Sequence, residues 1–321
     1  SYQVKVADLP ATVDSNKLDA EIKAVLNEID STMSTYRPES EVMRFNRSKA
    51  GDWFSVSPAV AELVAATLKI SHETDGALDI TVGPLVRLWH FGPKTRADAI
   101  SPEQITPPSE ESIAAARADV GYQKLDVRLE PPALRKQADK LEIDLSSVGE
   151  GYAVDRIVAV LEKNGIEDYL VGVAGAVRAR GQRTDGKFWR AGVQKPTPDK
   201  DALQTTVTLN NAALATAGDY KRYFEFGGRH YSHIIDPSSG RPIDHSLASV
   251  TVVADKCVTA DAWDTALLVL GSQRGQECAK QHDLAALFIS RGEQGGQEFD
   301  VQETAAWQKR FPNALKDQPG Q

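Results

Sequence analysis

The second half of the sequence is divided into short strand-like segments, and this feature constrains the fold more than any other. Beyond Gly165, the segments DYLVGV, WRAGVQ, LQTTVTL and LASVTVVA read as short strands, with Gly, Pro, Asn and Asp turns between them. This punctuation is typical of antiparallel strands joined by turns. Because helices do not alternate regularly with these strands, a sheet built from repeated βαβ units is disfavoured.

Amphipathic helices precede the strands. In DSNKLDAEIKAVLNEIDSTM the apolar residues recur at helical spacing, with Asp14 or Ser15 as the predicted N-cap. In SPAVAELVAATLKISHETDG, Ser57 is the predicted N-cap, Pro58 is the first helical residue and Gly76 lies past the end. Both segments therefore contain a start signal as well as an apolar face.

Two more helices are predicted near the C-terminus, from about Ala260 and from Ser272. Runs of helices mixed with antiparallel strands predict an α+β fold. At 321 residues, the chain is long enough for one large domain or two lobes of ordinary size. No apolar run approaches the roughly 20 residues that a membrane span requires.

Charge and cysteine content exclude some classes of function. The 45 acidic and 37 basic residues give a net charge of -8, so we expect no general affinity for nucleic acid. Cys257 and Cys278 are too few for a disulfide framework and lack zinc-site spacing, so two buried thiols are the simplest interpretation. The chain starts at Ser1, without a Met, which we interpret as a processed or trimmed product.

The segment TADAWDTALLVLG contains three oxygen-bearing side chains at helical spacing. Asp261, Asp264 and Thr265 stand at i, i+3 and i+4, so they share one face of a helix. Acidic residues in a first turn stabilise a helix through its dipole, and Thr259 could be the N-cap. Alternatively, two carboxylates and a hydroxyl form a hard oxygen set that suits Mg²⁺ or Ca²⁺. The spacing alone leaves both interpretations open.

The segment DLSSVGEGYAVDR resembles a phosphate-binding turn. Asp144 ends a strand, Ser146 and Ser147 follow, and Gly149 and Gly151 lead into a helix. Small residues at a helix N-terminus let an anion approach the backbone N–H groups. The pattern matches neither common nucleotide-binding motif, so an ordinary tight turn is the alternative.

Three residues elsewhere could carry chemistry: His233 through proton transfer, and Tyr36 and Asp79 through contact with a heterocycle. His233, in HYSHIIDPSSGRP, could accept a proton near physiological pH, although a structural histidine is the commoner case. Tyr36 could stack on a planar ring, or simply pack. Asp79, in a glycine-punctuated segment, could accept a ring N–H.

Eight motifs in order resemble the FAD:protein FMN transferase family, also called the ApbE family and formerly labelled thiamine-biosynthesis lipoproteins. They are STYRPESEVMRFN, TDGALDITVGPLVRLW, DLSSVGEGYAVDR, YLVGVAGAVRARG, WRAGVQKP, ALATAGDYKRYF, SHIIDPSSGRPI and VTADAWDTALLVLG. The resemblance implies one ApbE-type domain over residues 1–321, related to the T-fold. It also implies two intimately packed lobes, about 1–140 and 141–321, with the FAD site between them.

The same resemblance implies Mg²⁺-dependent transfer of FMN from FAD, through its phosphate, to a threonine or serine hydroxyl of an acceptor protein, with release of AMP. His233 matches the family's proposed base. The implied Mg²⁺ ligands are Ser147, Asp261, Asp264 and Thr265. The implied FAD contacts are Tyr36, Ala77, Leu78, Asp79, Asp144, Glu150 and Ile235.

The family context also implies partners and a location. The acceptors would be flavoprotein subunits of Na⁺-pumping NADH:quinone reductase or Rnf-type complexes, and the enzyme would be periplasmic, with a lipid-anchored precursor. An FAD pyrophosphatase and a non-catalytic FAD-binding lipoprotein are the alternatives. The chain departs from the family in having Ala174-Gly175 where a Gly-Gly pair is usual, and in lacking a Met-Gly-Thr segment before Ser1.

Overall fold

A computed structural model describes residues 1–93, 105–197, 199, 201–292, 298–312 and 314. The chain forms two compact units. Unit 1 comprises Ser1–Glu28, Val148–Tyr220 and His245–Gln321, and unit 2 comprises Ile29–Ser147 and Lys221–Asp244. Each unit is therefore assembled from segments that are separated in sequence.

Eight α-helices, one 3-10 helix (Tyr122–Lys124) and sixteen strands are assigned within the described residues. The helices are α1 (Ser15–Met33), α2 (Glu41–Asn46), α3 (Pro58–Glu73), α4 (Gly83–Leu88), α5 (Glu110–Ala118), α6 (Ser146–Lys163), α7 (Cys257–Gln281) and α8 (Ala305–Arg310). The strands are β1 (Tyr2–Val6), β2 (Phe54–Ser55), β3 (Leu125–Leu129), β4 (Pro132–Lys136), β5 (Tyr169–Val173), β6 (Ala176–Arg180), β7 (Trp189–Gln194), β8 (Leu203–Leu209), β9 (Ala212–Gly218), β10 (Tyr223–Phe226), β11 (Arg229–Ser232), β12 (Ile235–Asp236), β13 (Arg241–Pro242), β14 (Leu247–Ala254), β15 (Ala285–Arg291) and β16 (Phe299–Glu303).

A seven-stranded sheet organises unit 1. Its order is β1-β5-β6-β9-β14-β15-β16, and every neighbouring pair is antiparallel. The predicted α+β class is confirmed. Strand β14 is buried along almost its whole length, which explains its nearly continuous apolar sequence. Helix α7 packs against β9 and β14, while Leu214, Leu287 and Ile289 pack with Trp189 and Trp307 in an apolar core.

Unit 2 combines helices with three small sheets, ordered β2-β4-β3, β10-β11 and β12-β13. Its two chain segments are joined by stacked aromatic rings. The Tyr231 ring lies 5.7 Å from that of Trp89 and 5.0 Å from that of Phe224, measured between ring centroids. The indole N–H of Trp89 also donates to the carbonyl of Gly240, at 2.8 Å.

The predicted helix starts are confirmed for α1 and α3. The Asp14 carboxylate accepts hydrogen bonds from the backbone N–H groups of Asn16 and Lys17, and Ser57 is the N-cap of α3. Helix α7 starts at Cys257, slightly before the predicted position. Non-helical backbone at Gly271 (φ 77°) divides α7 into two parts, which correspond to the two predicted helices. None of the helices in the described ranges is long and apolar enough to cross a membrane.

Candidate active site

The start of α7 excludes one of the two interpretations of its acidic residues, that of helix capping. Lys256 is the N-cap, so Thr259 lies inside the helix and its prediction as the cap is wrong. The first turn contains no acidic residue, and Asp261 and Asp264 lie further along the helix. Because the dipole effect falls off within the first turn, helix capping does not explain this carboxylate pair.

Asp264 is buried in the protein interior. Its side chain is 1% exposed, and its Oδ1 accepts a hydrogen bond from the Thr265 hydroxyl at 3.2 Å. An ionised carboxylate at such a depth is stabilised by hydrogen bonds or by a cation. Asp261 and Thr265, on the same helical face, are half-buried. The three side chains together present hard oxygen donors at one edge of α7.

Asp261 is also bound to α6. Its Oδ2 accepts a hydrogen bond from the Gly151 N–H at 2.8 Å. A Cβ atom at Gly151 would lie 2.5 Å from the Cys257 carbonyl oxygen, whereas one at Gly149 would have no atom within 4 Å. Gly151 is thus required for close approach of α6 to α7. This is a packing reason, rather than the ligand approach that the sequence suggested for it.

Several carboxylates surround the buried thiol of Cys257. Burial is the largest cause that raises its pKa, and Asp155, Asp261 and Asp264 raise it further, while Arg178 lowers it. Negative charge is therefore concentrated at the start of α7. We find no group of three or more His, Cys, Asp or Glu residues suited to a metal in the described ranges. The Mg²⁺ ligands implied by the family resemblance are not such a group, because only two of them are carboxylates and the others are hydroxyl oxygens. A donor set of this composition fits Mg²⁺.

Ser147 and Asp144 belong to unit 2. Ser147 is half-buried in the first turn of α6. The Asp144 carboxylate accepts a 2.9 Å hydrogen bond from the Ser146 N–H and also contacts the Ser146 hydroxyl. The Asp144 N–H donates to the Ile80 carbonyl at 2.7 Å, which brings Asp144 beside the segment that contains Ala77, Leu78 and Asp79.

Asp79 is buried and strongly hydrogen-bonded. Its Oδ1 accepts from the Thr81 N–H (2.8 Å) and hydroxyl (2.7 Å), and its Oδ2 accepts from the Tyr122 N–H (2.8 Å). Burial raises its pKa, and these hydrogen bonds oppose that rise. The carboxylate therefore holds its own loop in place, with acceptor capacity left on Oδ2 for a ring N–H. Ala77 and Leu78, which precede Asp79 in the sequence, are also buried.

His233 has a defined tautomer. Its backbone N and its Nδ1 both lie 3.0 Å from the Arg222 carbonyl oxygen. Because that oxygen can only accept, Nδ1 carries the hydrogen and Nε2 has the lone pair. Burial, together with Arg222 and Lys221, lowers the pKa of His233 to about 4. The ring is therefore neutral at physiological pH and can accept a proton at Nε2.

The remaining predicted contacts lie in different surroundings. Tyr36, in the turn after α1, is 48% exposed, whereas Ile235 is buried in a cluster with Trp89 and Phe224. Glu150, which precedes Gly151, accepts a hydrogen bond from the Gly175 N–H at 3.1 Å. Glu150 thereby supports the turn at Ala174 and Gly175.

In unit 1, the structure brings together Asp261, Asp264 and Thr265 on α7 and places Glu150 beside the residue that binds Asp261. In unit 2, it brings Asp144 to the segment with Asp79, and His233 lies near Phe91, with ring centroids 6.3 Å apart. No sequence motif singled out Asp155 or Arg178 as functional residues. The only local signal was the i, i+4 spacing of Gly151 and Asp155, which puts both on one face of α6.

Comparisons with known proteins agree with this architecture. A model of the ApbE family matches residues 1–288. An Escherichia coli K12 protein named FAD:protein FMN transferase is 44% identical over 279 residues, which cover 86% of this chain and 78% of that protein. A Vibrio cholerae protein of the same name is 39% identical over 299 residues, covering 93% and 87%.

Solved structures give the same result. The crystal structure of the Pseudomonas stutzeri flavinyl transferase ApbE, in its apo form, has a TM-score of 0.86 at 39% identity, covering 97% of this chain and 93% of that one. The flavin transferase ApbE from Vibrio cholerae also has a TM-score of 0.86, at 36% identity, covering 97% and 95%. The chain therefore belongs to the ApbE family.

Proposed function

We propose that this chain is an enzyme that transfers FMN from FAD to a threonine or serine hydroxyl of an acceptor protein, with Mg²⁺ as cofactor and AMP as the leaving product. The names of its relatives support flavin transfer. The observation that carries the Mg²⁺ dependence is the buried carboxylate of Asp264, with Thr265 and Asp261 on the same face of α7. Such a donor set suits a hard divalent cation.

Within unit 1, Asp261, Asp264 and Thr265 would hold the ion. When bound, Mg²⁺ would neutralise the negative charge that develops on the pyrophosphate. The hydrogen bond from the Gly151 N–H to Asp261 Oδ2 fixes one carboxylate, and the Thr265 hydroxyl orients the other. These contacts hold the oxygens in place before any substrate binds.

Within unit 2, His233 is the proposed base. Its Nε2 takes the proton of the acceptor hydroxyl as the hydroxyl oxygen bonds to the phosphorus of the FMN half of FAD. The bond between that phosphorus and the bridging oxygen breaks, and AMP leaves with the electron pair. Since the pKa of His233 is about 4, the imidazolium then returns its proton to water readily.

We also propose the substrate contacts and the partners that the family resemblance implies. FAD would contact Tyr36, Ala77 to Asp79, Asp144, Glu150 and Ile235. Acceptors would be flavoprotein subunits of Na⁺-pumping NADH:quinone reductase or Rnf-type complexes, met on the periplasmic side by a lipid-anchored enzyme. This part of the proposal rests on the resemblance alone.

One experiment tests the reaction. The protein is incubated with FAD, Mg²⁺ and a threonine-bearing acceptor domain, and the acceptor mass and free AMP are measured. We expect an FMN-sized mass gain with equimolar AMP, loss of both in Asp264→Asn, and no loss in the exposed control Asp300→Asn. Free FMN and AMP without a modified acceptor would indicate a pyrophosphatase instead, and intact bound FAD would indicate a binding protein. Full transfer by Asp264→Asn would remove the metal assignment.

A further inference from the structure

Helix α7 is capped by a residue from another helix. Its N-cap residue, Lys256, makes no side-chain capping hydrogen bond. The N–H groups of a first helical turn lack partners within the helix. Here, the carboxylate of Asp155, on α6, is the hydrogen-bond acceptor for two of these groups. Its Oδ1 accepts from the Cys257 N–H and its Oδ2 from the Val258 N–H, both at 3.0 Å. One carboxylate thus binds two successive backbone donors at the start of α7.

Arg178, on β6, fixes this carboxylate. Its guanidinium Nη1 donates to Asp155 Oδ1 at 3.0 Å, and the two side chains are only 18% and 16% exposed. Asp155 therefore accepts three hydrogen bonds, one of them from a cation, at a site with little water. Charge-assisted hydrogen bonds of this kind are stronger than neutral ones, so the orientation of the carboxylate is well determined.

The cap and the candidate metal ligands belong to one arrangement. Asp155 follows Gly151 by four residues, so both lie on the same face of α6. Gly151 binds Asp261 directly, while Asp155 binds the turn that precedes Asp261. At a rise of about 1.5 Å per residue, the Asp261 Cα lies roughly 6 Å along the axis from that of Cys257. A displacement of the first turn would therefore be transmitted to Asp261 and Asp264.

We propose that Asp155, held by Arg178, is a positioning residue for the metal site. By capping α7 in trans, it fixes the axial position and rotation of the helix, so that Asp261 and Asp264 direct their oxygens to one cation. The proposal rests on the proposed function, because that cation is the Mg²⁺ of the transfer reaction. Loss of the cap should weaken metal binding and leave most of the turnover at saturating metal, because Asp155 does not touch the reacting atoms.

The test is a Mn²⁺ titration of the full chain, followed by electron paramagnetic resonance, with Mn²⁺ standing in for Mg²⁺. We expect metal affinity to fall about 10-fold to 100-fold in Asp155→Ala, as for other groups that support metal ligands. Asp155→Asn, which keeps one acceptor oxygen, should lie between Asp155→Ala and the unaltered protein. Glu162→Gln is the matched control, since Glu162 is also on α6 and binds Arg180 and Tyr169. Its metal affinity should be unchanged.

A kinetic measurement separates positioning from general damage. In Asp155→Ala, the Mg²⁺ concentration for half-maximal AMP release should rise by a similar factor, while kcat at saturating Mg²⁺ stays close to its original value. Cys257 is completely buried in the first turn of α7, so its reactivity reports whether this turn remains packed. In a Cys278→Ser background, a thiol reagent should label Cys257 faster in Asp155→Ala than in Glu162→Gln.

Two outcomes would overturn the inference in different ways. If Cys257 is labelled faster but metal affinity is unchanged, the cap does not position the ligands, and the proposed function stands. If Asp155→Ala does not fold, the same comparison in Asp155→Asn decides. If the unaltered protein binds no Mn²⁺ and transfers FMN without a divalent cation, the metal part of the proposed function fails, and the inference with it.

Discussion

Replacing Gly151 by alanine tests whether the contact between α6 and α7 determines the candidate site. The new Cβ would lie 2.5 Å from the Cys257 carbonyl oxygen, 2.6 Å from its carbon and 2.7 Å from the Val258 nitrogen. All three are backbone atoms, so no side chain can rotate away. The helices would have to separate by up to about 1 Å to restore ordinary van der Waals distances.

The cost follows from three contributions. Overpacking of this kind costs about 1–3 kcal/mol. Lengthening the 2.8 Å hydrogen bond from the Gly151 N–H to Asp261 adds about 1 kcal/mol or more, because the acceptor is charged. Alanine returns up to about 1 kcal/mol through its better helix propensity. We therefore expect Gly151→Ala to lower the free energy of unfolding by about 1–3 kcal/mol.

Gly149→Ala is the matched control for stability. Both glycines belong to α6, but a Cβ at Gly149 meets no atom within 4 Å. Its substitution should be neutral or stabilise the protein by up to about 1 kcal/mol. Urea titrations followed by circular dichroism measure both differences, and a Mn²⁺ titration shows whether Gly151→Ala also weakens metal binding.

The reasoning requires Gly151→Ala to be less stable than Gly149→Ala. Equal stability of the two variants, or a Gly151→Ala protein as stable as the parent, would show that α6 is not held against the first turn of α7 at this distance. Unchanged metal affinity in a destabilised Gly151→Ala protein would separate packing from ligand position.

Three further predictions concern single side chains. The pKa of His233 is about 4 when folded and near 6.5 in an unfolded chain, so between these values the unfolded chain binds a proton that the folded protein does not. The free energy of unfolding, relative to His233→Gln, should therefore fall as pH is lowered from 7 to 4, and stay constant above 7; a pH-independent difference in urea titrations would contradict the low pKa. Ala174 has a φ of 49°, a left-handed conformation, so Ala174→Gly should raise the melting temperature through a net gain of about 0.5–1 kcal/mol, and a lower melting temperature would refute the strain. The ammonium of buried Lys136 donates to the carbonyls of Asn46, Asp139 and Leu141, so Lys136→Met should lose about 2–4 kcal/mol of stability in urea titrations, whereas exposed Lys140→Met should lose little; equal losses would contradict this account.

The sequence determined the parts of this protein that depend on residues close together in the chain. Helix periodicity and N-caps at Asp14 and Ser57 located α1 and α3, and turn residues located β5, β7, β8 and β14. The spacing of Asp261, Asp264 and Thr265 placed three oxygen donors on one helical face. These signals are local, since a turn, a cap or a helix face involves only a few neighbouring residues.

Only the tertiary structure decided how those donors are held. The first turn of α7 is hydrogen-bonded to Asp155, which is 102 residues away in sequence, and Asp261 is bound by Gly151 across 110 residues. Because such contacts arise from the packing of helices and sheet, no local pattern reports them. The burial of Asp264 has the same origin: the sequence placed it on the face of a helix, and packing of the fold removed this one residue from water.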